Sequence, residues 1–302
     1  FMDSITVFGG SGFLGRRLIS GLKSKYDFVI ASRNTADKDR FPSGIKNAVI
    51  DGTLESYTRA INGSAAVINF SGASIAGKRW NDKYRKEIYD SRIKTTEMIV
   101  RAIEKCSSKP SVLISTSASG YYGDRADEIL NEESGAGSDF LADLCSDWEK
   151  AAFRARNLNV RTVCIRIGIV LDKYEGALKE LIFPFRFFAG GKLGNGRQWM
   201  PWIHIDDVIG IISFALDNAS LTGPVNTSSP NPSTNKDFSK LTGKIMRRPA
   251  LFAVPKFALR IFTGEFGKYL LAGQRMHPEK MLKAGYEFKY GNLIDALNNL
   301  LN

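Results

Sequence analysis

Ser117 stands in the run "LISTSASGYYG" (113–123), a few residues ahead of two phenols, Tyr121 and Tyr122. A serine hydroxyl can orient a carbonyl or carbinol oxygen, and a phenol can give or take the proton that accompanies hydride movement. Such chemistry needs a hydride carrier, and a place for one is written near the start of the chain. In "ITVFGGSGFLG", Gly10-x-Gly12-x-x-Gly15 follows a short apolar run and precedes an apolar helical pattern, with Gly9 adding an overlapping GxxGxxG. Between a strand and a helix, the first glycines allow a tight turn. The next lets the backbone approach a diphosphate, and the last lets helix and strand pack closely. The N–H groups and dipole of the new helix favour the phosphate charge. Ser11, Phe13 and Leu14 complete this turn as cofactor-binding candidates.

The second strand closes on "VIASRN", which puts Ser32 and Arg33 where an acid would bind the ribose 2′-hydroxyl of NAD. An acid repels a 2′-phosphate, whereas guanidinium and hydroxyl bind it by charge-assisted hydrogen bonds. The expected cofactor is therefore NADP (NADPH). Asp37 and Asp39 lie beyond the expected position and are weaker candidates for binding NAD. Two further strand ends should face the cofactor: "VINFSGAS", with Asn69, Ser71 and Gly72, and the Ser117 run, with Ser115 and Thr116. Small residues there leave room for a ribose and a nicotinamide.

Lys78, Arg79 and Trp80 follow the fourth strand, and Gln198 and Trp199 lie in a Gly-rich loop with Arg197 and Trp202. Cations, an amide and aromatic plates could bind an anionic or cyclic substrate. The competing reading is that the tryptophans cement two lobes, which is preferred for Trp202 and stays open for Trp80 and Trp199. His204 precedes a helix start and is expected to be structural. Cys145 falls in an apolar helical pattern with no His neighbour, which suits a core thiol.

These residues require a scaffold. Apolar runs at Ile5–Phe8, Phe28–Ala31, Ala48–Ile50, Ala66–Phe70, Val112–Thr116 and Val160–Ile165 alternate with helical patterns. Short buried runs without polar alternation predict a parallel sheet covered on both faces, a Rossmann-type doubly wound α/β fold. The rhythm breaks after Leu171. Asp206 and Asp207 begin a helix, Pro224–Asn226 supplies one more strand, and the C-terminal part reads as mostly helical. The expected division is a dinucleotide-binding domain over 1–170, rejoined by 203–228, and a smaller substrate lobe from 171–202 and 229–302.

Bulk composition narrows the classes. The chain has 302 residues and a formal net charge of +11. Its basic residues are scattered and mostly interleaved with acids, so nucleic-acid binding is not expected. Three cysteines at no metal spacing and two histidines argue against a metal site and for a reducing, cytoplasmic setting. No apolar run is long enough to span a membrane, and with the first strand beginning at once no signal peptide is expected. A small-molecule substrate is the expected partner.

The same residues resemble the extended short-chain dehydrogenase/reductase superfamily, in its epimerase and dehydratase group. "GKRWNDKYRKEIYDSRIKTT", "DFLADLCSDWEKAA", "RIGIVL", "GGKLGNGRQWMPWIHIDDV", "VNTSSPNPSTNKDF" and "AGQRMHPEKM" resemble an atypical branch, the epimerase-family proteins of unknown substrate. The resemblance implies a seven-stranded Rossmann sheet with a C-terminal substrate lobe and NADP at Ser32 and Arg33. It further implies that Arg92 reaches the cofactor, that Asp51 and Gly52 flank the adenine, and that Gly168 and Ile169 lie near the nicotinamide. By analogy it also suggests a homodimer. The superfamily pairs its Ser with Tyr and Lys spaced as YxxxK. Here the Tyr position falls on Phe140 or Leu141 and the Lys position on Leu144 or Cys145, so neither residue is restored. Two functions stay open: an NADP-dependent oxidoreductase or epimerase-like enzyme with Ser117 and Tyr122, or less favourably Tyr121, as its catalytic groups, and a non-catalytic NADP-binding redox sensor or scaffold.

Overall fold

The computed structural model describes residues 3–33 and 45–302. Seven parallel strands form the central sheet: β1 (Ser4–Phe8), β2 (Asp27–Ser32), β3 (Lys46–Val49), β4 (Ala66–Asn69), β5 (Val112–Ala118), β6 (Arg161–Ile167) and β7 (Gly223–Thr227). Their spatial order is β7-β6-β5-β4-β1-β2-β3. The order reverses between β1 and β4, and ligands of such sheets bind at the carboxyl ends beside that reversal. The expected doubly wound fold is the observed one. β6 runs two residues beyond the expected apolar run, because its ladder continues to Ile167 opposite Ala118.

Two apolar layers sandwich the sheet. On one face, Leu18 and Ile19 of α1 (Phe13–Leu22) are buried in one cluster with inward-facing residues of the helix Ile205–Asp217. On the other face, Ala60 and Ile61 of α2 (Leu54–Ile61) and Ile99 and Ile103 of α3 (Asp82–Lys105) join Ala152 of α4 (Phe140–Phe153). Side chains set where these helices begin. Asn81 caps α3 by accepting from Tyr84 N, and Asp139 caps α4 by accepting from Leu141 N and Ala142 N. That second cap fixes the α4 register and with it the residues standing where YxxxK would be.

The C-terminal part is helical, as expected, but it also carries short strand pairs. α5 (Ala177–Arg186), α6 (Ile205–Asp217), α7 (Asn235–Met246), α8 (Lys256–Thr263), α9 (Glu279–Lys283) and α10 (Leu293–Leu301) are joined by pairings such as Gly191–Leu193 with Phe252–Val254. Trp202 is fully buried in the core of this part, where its Nε1 donates to Asn231 O at 3.0 Å. Its cluster, with Leu178, Met200, Phe238 and Leu297, lies within the C-terminal part, whereas the sequence reading places it between two lobes. Among the described residues no helix is long and apolar enough to cross a membrane.

The glycine turn is a packing device before it is a binding device. A Cβ on Gly15 would lie 2.5 Å from the Gly10 backbone. The α1 axis can approach β1 so closely only when both positions lack side chains. Gly15→Ala should therefore cost about 1–3 kcal/mol of stability. Chemical denaturation would read this as a lower midpoint with an unchanged slope.

Candidate cofactor site and active centre

At the carboxyl end of β1, Gly9 adopts φ 72, and a Cβ there would meet Phe70 C at 2.8 Å. A side chain would be strained and would also push away the β4 exit. Gly12 precedes α1 without a side-chain cap, and the first turn of α1 carries no acid. The orphan N–H groups of this turn are therefore left to an outside acceptor. Arg33 is exposed at the end of β2 and has no acidic partner among the described residues; its charge acts on Tyr57, whose ring stacks on Phe8 at 5.3 Å. Ser32 Oγ donates to Asn47 Oδ1 at 3.1 Å. Asp37 and Asp39 lie outside the described residues. Asp51 and Gly52 are exposed ahead of α2, and Asp51 is held down at about 2 by hydrogen bonds from the Thr53 hydroxyl and amide.

The β4 exit is built around a half-buried cation, Arg92. Asn69 Nδ2 donates to Thr96 Oγ1 at 3.0 Å, and its Oδ1 accepts from Ser71 N at 3.0 Å. Trp148 Nε1 donates to the same Thr96 oxygen at 2.9 Å, and the Arg92 guanidinium lies 5.2 Å from the Trp148 ring centroid. A Cβ on Gly72 would lie 2.9 Å from Arg92 Cζ, so Gly72 makes room for the guanidinium. Burial lowers the Arg92 pKa, and no carboxylate pairs with it among the described residues. Its recorded hydrogen-bond acceptor is Ile88 O at 3.1 Å. A desolvated cation with one neutral acceptor favours an anion beside it. The diphosphate or phosphate of a dinucleotide fits this requirement.

Two expected contacts are not surfaces for a ligand. Asn69 and Ser115 are fully buried. Asn69 shapes the loop through Ser71, and Ser115 Oγ has no hydrogen-bond partner among the described residues. Gly168 has a tight packing role: its Cβ would lie 1.8 Å from Pro201 O, where Ile169 N donates at 2.7 Å.

The catalytic assignment changes most. Ser117 Oγ donates to Glu149 Oε1 at 2.7 Å. Arg166 grips the same carboxylate with two hydrogen bonds of 2.8 Å, and both side chains are almost wholly buried. Tyr122, expected to handle the proton, is fully buried. Its hydroxyl faces Asn226 Oδ1 at 2.6 Å and Asn131 O at 2.9 Å and accepts from Arg166 Nη1 at 2.9 Å. Burial pushes the phenol up to about 12 despite that cation. Tyr121 is the phenol of the pair that keeps exposed surface. Its ring centroid lies 3.5 Å from the Arg166 guanidinium carbon and edge-on to Tyr122. The order of the two tyrosines as candidates is thus reversed. Cys145 is buried and its thiol is pushed up to about 12 by burial, which excludes a ready nucleophile.

Glu149 and Arg166 were missed by sequence reasoning, as was Asn226. The available signal was Arg166 inside the apolar run "VCIRIGIVL"; "SDWEKAA" carries Asp147, Glu149 and Lys150 and does not single out Glu149. A strand interior does not accommodate a lone buried charge, so Arg166 implies an acidic partner.

On the proposed substrate side, Trp80 is buried against Phe140, Phe266 and Tyr269, and its Nε1 donates to Ile75 O at 2.6 Å. Gln198 is buried and donates to Leu193 O at 3.1 Å. Both are therefore structural, which corrects their assignment as substrate contacts. Trp199 is half-buried, with Nε1 donating to Asp127 Oδ1 at 2.7 Å and Arg275 over its ring at 4.4 Å. Lys78 and Arg79 are exposed; Lys78 pairs with Glu87 at 3.4 Å, and Arg79 packs against the Gly264 turn.

The sequence matches the NAD dependent epimerase/dehydratase family over residues 5–226. The chain belongs to that family. Residues 254–300 match a second family, a domain of unknown function, DUF1731. The epimerase family protein SDR39U1 homolog, chloroplastic, of Arabidopsis thaliana is 37% identical over 302 residues, covering 99% of this chain and 86% of its own. Epimerase family protein YfhF of Bacillus subtilis is 35% identical over 310 residues, covering 99% and 98%. Among solved structures, human epimerase family protein SDR39U1 (isoform2) with NADPH superposes with a TM-score of 0.89 at 29% identity, covering 98% of each chain. The nucleoside-diphosphate sugar epimerase from Corynebacterium glutamicum gives 0.77 at 29% identity, covering 99% of this chain and 58% of that one. The resemblance read from the sequence, to an atypical epimerase-family branch, is the relationship found.

Within this family member His204 is structural, as expected. Its Nδ1 accepts from Asp206 N at 3.0 Å as the α6 cap, Nε2 meets Asn299 Oδ1 at 3.1 Å, and Tyr290 stacks at 3.9 Å. The cap requires an unprotonated Nδ1, and burial lowers the pKa from 6.5. The unfolded chain then binds the proton more readily. Stability present above the unfolded value is lost as pH falls from it through the depressed folded value. The unfolding midpoint of the wild type should fall between about pH 7 and pH 5. His204→Asn, which keeps an acceptor but no titration there, should show a flatter profile in thermal melts across that range.

Proposed function

We propose that this chain binds NADPH at the carboxyl edge of its sheet and acts as an oxidoreductase or epimerase-like enzyme on a small or medium organic molecule. The observation that carries the reading is Arg92, a half-buried guanidinium packed against Gly72 at the β4 exit with no carboxylate partner among the described residues. The NADPH in the human relative's structure supports the choice of cofactor. In this reading the Gly9–Gly15 turn and Arg92 hold the diphosphate side, and Ser32 and Arg33 receive the 2′-phosphate. Bound NADPH supplies a hydride at its nicotinamide ring. Tyr121 handles the proton at its hydroxyl, held in place by Arg166. Ser117 acts as a positioning residue, fixing Glu149 and through it Arg166. The segments 171–202 and 229–302 form the substrate side. The three cysteines are free and buried, and a cytoplasmic setting belongs to the same proposal.

A second reading, a redox sensor or scaffold that binds NADPH without turnover, is favoured by one observation. The hydroxyls of Ser117 and Tyr122 are both committed to interior partners.

Two measurements test these readings. Titration with both dinucleotides should show NADPH bound more tightly than NADH. Arg33→Ala should weaken NADPH by about tenfold or more while leaving NADH unchanged, since a charge-assisted hydrogen bond contributes about 1.5–3 kcal/mol. Equal affinities, indifferent to Arg33, would remove the cofactor assignment. NADPH oxidation against a carbonyl panel should then fall by about a hundredfold in Tyr121→Phe with NADPH affinity retained. No oxidation of any compound by a chain that binds NADPH normally would favour the sensor.

A further inference from the structure

One side of the C-terminal lobe carries an aromatic and cationic surface that the cofactor site does not use. Among the described residues twelve large apolar side chains are substantially exposed, and seven of them fall in two short segments. Phe183, Phe187 and Phe188 lie at the end of α5. Leu251 and Phe252 lead into α8, which exposes Phe257 and Ile261 four residues apart and buries Leu259. The seven are between 55% and 86% exposed. Scattered apolar residues on a surface are ordinary, but a concentration of this kind marks a contact face.

The two segments adjoin. Gly191–Leu193, just after α5, pairs with Phe252–Val254, and Arg248 lies 4.4 Å from the Phe188 ring centroid. Phe188 is held at φ 59, a left-handed conformation that bulky residues avoid, and still presents its ring to solvent.

Charge selects the occupant. Residues 244–262 contain Lys244, Arg247, Arg248, Lys256 and Arg260 and no acid. None of these cations is ion-paired among the described residues. A twofold contact with a second copy would set this cationic face against itself. A layer of anionic headgroups over acyl chains satisfies both the cations and the rings. A short helix with phenylalanine and isoleucine on one side and basic residues alongside suits the plane of a bilayer interface. We propose that this face docks peripherally on an anionic phospholipid surface, with α8 and the end of α5 entering the headgroup boundary. This adds a membrane partner that a search for spanning segments does not reveal. It stands independently of the NADPH reading.

The test is co-sedimentation of the full chain with vesicles of mixed phosphatidylglycerol and phosphatidylcholine, and with phosphatidylcholine alone, at low and high salt. Binding is expected to the anionic vesicles and to weaken with salt. Arg248→Ala with Arg260→Ala should weaken it by roughly thirtyfold. Phe187→Ser with Phe257→Ser should do so at least as strongly, with NADPH affinity and melting curve unchanged. Equal partition of the wild type to both vesicle types overturns the proposal. So does full binding by the phenylalanine variant, which would reduce the effect to the net charge of the chain. A concentration-dependent dimer, abolished by the same variants in sedimentation equilibrium, would assign the face to a second copy and also overturn it.

Discussion

The buried pair of Glu149 and Arg166 is the interaction on which the active-centre region depends. It joins α4 to β6, and its hydrogen bonds extend to Ser117 on β5 and to the Tyr122 hydroxyl. Tyr122 passes the connection to Asn226 on β7, and Asn226 N donates to Glu132 Oε1, which also accepts from Lys280 N at 3.3 Å. Two carboxylates, Glu149 in the ion pair and Glu132 beyond it, thus tie the middle of the sheet to Lys280 of α9. Removing one partner of such a pair costs about 3–5 kcal/mol, because the other is left charged and desolvated. The pair therefore constrains what this part of the chain can vary.

That constraint decides which hydroxyls near the end of β5 are committed to the interior. A serine stands near the end of β5 and two tyrosines follow just after it. Here the serine and one tyrosine serve the ion pair. The tyrosine that retains exposed surface, Tyr121, is stacked on the guanidinium. A cation therefore still stands beside a phenol, though it arrives from β6 and not from a lysine one turn along α4. Leu144 and Cys145, the two alternatives for the lysine position, are both buried core residues.

The fold was legible in the sequence because it rests on local signals. The apolar runs, the glycine turn and the alternation with helices each specify their element within a few residues, and the observed strands begin and end close to those runs. Arg33 was legible for the same reason, since a strand end fixes its place. The internal network was not, because its members are far apart in the chain: Ser117, Tyr122, Glu149, Arg166 and Asn226 meet only after the sheet is assembled. Tyr121 and Tyr122 show the limit well. Adjacent residues in a turn point to different surroundings, and only the packing of Asn131, Asn226 and Arg166 decides which one is interior. Trp80, left open, and Gln198, assigned to the substrate, were not legible for a similar reason. Polar and aromatic side chains in loops read alike whether they face a ligand or the loop's own carbonyls.

Two guanidinia, Arg166 buried and Arg92 half-buried, differ in how the fold treats their charge. Both lose hydration, and burial by itself lowers the pKa of each. For Arg166 the hydrogen bonds and charge of Glu149 outweigh that loss and raise it. For Arg92 no carboxylate does so among the described residues, and the lowered value stands. The first cation is satisfied within the fold, and a ligand would have to displace Glu149 to reach it. The second is held by Trp148 and by the space left at Gly72, in a geometry that the protein maintains without neutralising the charge. A fold that keeps a half-desolvated cation without a carboxylate among the described residues gains by an anion placed beside it.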